Sequence, residues 1–131
     1  MTRTSREPIT VKVYGIDCVI QLARYPDTER LALILLDKET REEMTVATTN
    51  MPHIFLRSEE VMIKNWSENE GVLEALQRAG VVEPTGLTYP SGFVEVPKCL
   101  VMVPIPEHFR EGQILMREPE RRRTKAQERE L

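Results

Sequence analysis

Aromatic side chains are scarce in this chain, 5% of 131 residues, so any core it builds must be aliphatic. Long apolar runs are missing too: the longest, Leu31 to Leu36, falls far short of the roughly 20 residues a membrane-spanning helix needs. Met1 to Pro8 lacks the apolar stretch of a secretory leader, and the chain reads as cytoplasmic, with no membrane partner. Cysteine is limited to Cys18 and Cys99, each in an apolar segment and neither in a Cys-x-x-Cys pair. Two buried, reduced thiols are the expectation, since a disulfide would need their Cα atoms within about 7 Å.

Other absences bear on chemistry. Metal sites need three or four ligands converging at about 2.0–2.3 Å. The two histidines, His53 and His108, have no second imidazole or thiol at helical or hairpin spacing, so no metal site is expected. There is no Gly-x-Gly-x-x-Gly, no Gly-Lys-Ser/Thr and no Gly-x-Ser-x-Gly, which leaves nucleotide cofactors and a serine elbow unsupported. Carboxylates do pair, at Glu42 and Glu43, Glu59 and Glu60, and Glu68 and Glu70. General acid–base work needs one of a pair desolvated, and each of these lies in a polar stretch that reads as solvated. No catalytic residue and no cofactor is therefore assigned.

Charge is informative once divided along the chain. Residues 1–116 carry 12 Lys+Arg against 17 Asp+Glu, a net of −5, and residues 117–131 carry 6 against 4, a net of +2. An acidic body repels phosphate backbones and suits a basic protein partner.

The hydrophobic pattern predicts an α+β fold: a mainly antiparallel, twisted sheet of five to seven strands with one packed helix. Ile9, Val11 and Val13 alternate with polar residues, as do Ile16, Cys18, Ile20 and Leu22, with a tight hairpin near Tyr14 to Asp17. Arg30 to Leu36 is nearly all aliphatic and reads as a central strand buried on both faces. Met44 to Thr49 and Val61 to Lys64 supply further strands. Ser67 and Glu70 have the spacing of a capping box ahead of Val72, Ala75, Leu76 and Ala79, predicting a helix over 68–79 that ends at Gly80. Glu68 and Glu70 would then complement the helix dipole. Phe93 to Val96 and Leu100 to Val103 read as two strands, with Pro97 at an edge or a bulge.

Residues 1–8 read as a polar arm, 9–103 as the domain and 104–131 as an extension with a charged tail. In the extension, Phe109 and the cluster Ile114, Leu115, Met116 are anchors able to pack back on the body. From Glu118 onward no apolar stripe exists, so the tail is expected to be disordered, or a frayed helix, until something binds it.

The segment Lys64 to Leu76, centred on Ser67-Glu68-Asn69-Glu70-Gly71, together with Tyr14-Gly15 and Ser91-Gly92-Phe93-Val94-Glu95-Val96-Pro97, resembles a family of short bacterial proteins known only as a domain of unknown function. Such proteins are often carried on mobile genetic elements. The resemblance spans about residues 9–103 and implies no activity or catalytic residue. An interaction protein carried on such an element would serve as an accessory or defence-modulating factor.

The function expected from these features is non-enzymatic: binding of a protein partner through an acidic surface of Glu68, Glu70 and Glu74 with Trp66 beside it. One alternative is a nucleic-acid-binding accessory using Arg121, Arg122, Arg123 and Lys125, a tract with glutamates interleaved and no aromatic to stack on bases. Another is a small enzyme whose site assembles from distant segments, such as Cys18 or Cys99 with His53. The oligomeric state is open.

Overall fold

The protein is represented by a computed structural model that describes residues 7–117. The fold is α+β. In chain order it comprises β1 (Val11–Val13), β2 (Ile16–Arg24), β3 (Leu31–Asp37), β4 (Glu43–Val46), β5 (Glu60–Met62), a 3-10 turn (Ser67–Asn69), α1 (Val72–Arg78), β6 (Val82–Ser91) and β7 (Val94–Val101). The strands form two antiparallel sheets rather than one, in the orders β1-β2-β3-β4 and β5-β7-β6. Residues 47–49 make the seam. The Ala47 N–H donates to the Leu33 carbonyl at 2.8 Å, while Thr49 N–H donates to the Met62 carbonyl at 3.0 Å and Lys64 N–H to that of Ala47 at 2.8 Å.

Local chemistry explains the hairpins. Tyr14 and Gly15 both have positive φ, 55° and 78°, the combination of a type I′ turn whose twist matches its flanking strands. β3 lies between β2 and β4, and its Ala32, Leu33, Leu35 and Leu36 are all buried, as an aliphatic run on both faces requires. β6 and β7 are each continuous, so the two strands expected on either side of Pro97 are one. Pro97 is tolerated in this middle strand because it adjoins a bulge in β6 between Pro84 and Thr88. On β6, which has a neighbour on one side only, Pro84 and Pro90 discourage pairing with another chain.

No aromatic residue is fully buried among the described residues; the main core is built from Ile, Leu, Val, Ala and Cys. α1 contributes Val72, Ala75 and Leu76, the expected stripe, and contacts β1 and β6, the outer strands of the two sheets. The start of the helix differs from expectation. Ser67 makes no cap hydrogen bond and has φ 56°, the 3-10 turn intervenes, and Gly71 at φ 94° is the N-cap of α1. The capping box is therefore not formed, and only Glu74 lies in the first turn of α1.

The segment after Val103 belongs to the packed unit. Gln113 to Leu115 runs beside β2 where β1 leaves it uncovered: Leu22 N–H donates to the Gln113 carbonyl at 2.8 Å and Leu115 N–H to that of Ile20 at 2.8 Å. Leu115 is 1% exposed and joins the main core. Phe109 and Leu115 are thus anchors that pack back on the body, and the packing continues past Val103. The basic stretch Arg121, Arg122, Arg123 and Lys125 lies outside the described residues, as does the polar arm up to Arg6.

Candidate interaction surface

The turn between β5 and α1 is exposed, strained and heavily held. Asn65 supplies the cap that Ser67 does not, its Oδ1 accepting the N–H groups of Gly71 at 3.0 Å and Leu73 at 2.9 Å. Asn69, at 0% exposure, is pinned to β4: Thr45 Oγ1–H donates to its Oδ1 at 2.6 Å and its Nδ2 donates to the Val46 carbonyl at 2.8 Å. From the β1–β2 turn, the Tyr14 hydroxyl sits against the Glu68 and Glu70 carbonyls, the latter at 2.8 Å. The two turns that carry the left-handed residues Tyr14 and Ser67 are thereby tied together.

This scaffold carries the expected glutamates outward. Glu68, Glu70 and Glu74 are all exposed. Lys64 Nζ pairs with Glu68 at 2.6 Å, and that hydrogen bond, assisted by their charge attraction, holds the Glu68 carboxyl below the usual range. Among the described residues, Glu70 and Glu74 have no cationic partner. Trp66 is half-buried. It packs on Met51, Met62 and Val96, with Lys64 Nζ 6.0 Å from its ring centre. Trp66 therefore braces the acidic turn from below more than it projects beside it.

A groove of about 550 Å³ runs between β4 and the 3-10 turn, lined by Tyr25, Glu43, Met44, Lys64 and Glu68 among others. It links Glu68 to a second carboxylate that the linear pattern had placed in a separate solvated pair. Asn65 and Asn69 were also missed. A lone asparagine among charged residues reads as surface, and its burial depends on a β4 carbonyl more than 20 residues away.

The remaining candidates do not assemble. Cys18 and Cys99 are both fully buried, and burial is the main force raising each thiol's pKa, that of Cys99 to about 12. Such thiols stay protonated at neutral pH and are poor nucleophiles. His53 and His108 are exposed. A second groove of about 450 Å³ lies between Arg24, Leu31, Val101 and Ile105. Its guanidinium is committed to structure, donating to the Glu29 carbonyl at 3.2 Å and the Glu107 carbonyl at 3.3 Å and stacking 4.5 Å from the Phe109 ring centre. Among the described residues no group of His, Cys, Asp or Glu could hold a metal, and no helix is long and apolar enough to cross a membrane.

No protein family, curated protein or solved structure matches this chain.

Proposed function

We propose that this chain is a protein-interaction protein whose working surface is the acidic turn carrying Glu68, Glu70 and Glu74, with Trp66 as its brace. One observation carries the reading: an exposed turn holds a left-handed non-glycine residue, Ser67, and a fully buried asparagine, Asn69, and is tied to the β1–β2 turn through the Tyr14 hydroxyl. Strain of this kind costs on the order of 1–3 kcal/mol per residue and concentrates where a surface must hold its shape. A rigid carboxylate array favours a basic partner segment, attracted more strongly at low salt. In the setting implied by the resemblance of Ser67–Gly71, the role would be that of an accessory or defence-modulating factor.

Charge reversal tests it. Glu70→Lys with Glu74→Lys alters two exposed side chains and should leave the far-UV circular dichroism spectrum unchanged. A specific protein recovered from the native host by the parent chain should be lost with the double variant. Equal recovery by both would overturn the proposal.

A further inference from the structure

The outer face of the β5-β7-β6 sheet is covered at one end only. Ile54, Leu56 and Trp66 pack there on Met62 and Val96, while Tyr89 and Val94 remain half-buried toward the tip of the β6–β7 hairpin. Large apolar side chains adjoining these residues in the chain are open to water: Phe93 in the β6–β7 turn is 108% exposed, Phe55 between Ile54 and Leu56 is 74% exposed, and Leu87 on the edge strand β6 is 52% exposed. Of the chain's seven aromatic residues, Trp66 and Tyr89 belong to this cluster, and Phe55 and Phe93 are chain neighbours of Ile54, Leu56 and Val94 within it.

We infer that this face is covered by the same face of a second copy of the chain. Area and charge both favour that occupant. Phe55 and Phe93 alone leave about 300–400 Å² of apolar surface in water, at the ~150–250 Å² an aromatic side chain brings. With Leu87 and the open edges of Tyr89, Val94 and Trp66, the apolar surface comes to about 500–700 Å², at the low end of the roughly 600–1,000 Å² per partner that a specific interface buries. The charge on its strands is already matched: Lys98, over the Tyr89 ring, lies 3.7 Å from Glu60. A surface that must meet its own image cannot carry a field of one sign. This one does not, whereas the acidic turn does.

Sedimentation velocity of the full chain over a range of concentrations tests the inference. A reversible dimer of twice 15.2 kDa is expected. Phe93→Ser and Phe55→Ser alter exposed side chains and should keep the native circular dichroism spectrum. Each should raise the dimer dissociation constant at least about tenfold, as loss of an interface anchor does. A monomer at all concentrations up to the high micromolar range overturns the inference, as does a dimer indifferent to both substitutions. Two controls separate it from the other surfaces. Glu70→Lys, and a chain ending at Arg117, should both dimerise normally. Loss of the dimer in either would assign the contact to the acidic turn or to the basic tail and overturn the inference.

Discussion

Two thiols show how this interior treats an ionisable side chain. Cys18 and Cys99 sit at 0% exposure in aliphatic packing, where a thiolate would lose its hydration and find no cation. Burial first, and then the nearby Glu83, moves Cys99 from 9.0 to about 12; burial, then Asp37 and Asp17, moves Cys18 in the same direction. The unfolded chain thus gives up the Cys99 proton near pH 9.0 while the folded chain keeps it. Stability from this group is whole below that pH and drains as pH rises toward about 12, at about 1.4 kcal/mol per pH unit. Urea midpoints should fall through this range, and Cys99→Val should flatten the fall. A parent chain and variant with the same slope would show that Cys99 titrates normally. The burial of both thiols was legible from the apolar alternation around them. The burial of Asn69 was not, because its partners lie on β4 and nothing near it in the chain announces them.

At the level of elements, periodic features were legible and irregular ones were not. The stripe Val72, Ala75, Leu76 is buried because helical spacing puts those residues on one side wherever the helix begins. Its beginning depended on which side chain reached the free N–H groups. Ser67 had the right spacing but turned left-handed, and Asn65, six residues before the N-cap, took the role. Likewise Pro97 was expected at an edge or a bulge, and a bulge across the ladder in β6 lets β7 run through it as a middle strand. The two cap assignments predict different mutants. Asn65→Ala should cost about 0.5–2 kcal/mol, the usual worth of an N-cap side chain. Ser67→Ala should fall within about 0.5 kcal/mol of the parent, as for a surface side chain with no cap bond. Chemical denaturation of both variants decides it, and a larger loss for Ser67→Ala would reinstate the capping box.

For the whole molecule, composition indicated an aliphatic core and the hydrophobic pattern an α+β fold, but neither marked where the core stops. The stretch Pro104 to Pro106 looks like a terminus of packing because two prolines interrupt any ladder, and the anchors beyond it are short. What closes the structure is the gap beside β2: β1 pairs with Ile16 to Cys18 only, leaving Ile20 and Leu22 with free backbone groups that Gln113 and Leu115 satisfy. Unpaired backbone groups beside a buried strand would cost more than ordering a few residues of chain. The last segment is then a structural strand in all but length. Leu115→Ala should accordingly cost about 2–5 kcal/mol, the range for truncating a core leucine, and should match Leu22→Ala. Urea unfolding of the two variants side by side measures this, with unchanged m-values showing that the loss is of stability. A Leu115→Ala penalty below about 1 kcal/mol would place the segment outside the cooperative unit and restore a boundary near Val103.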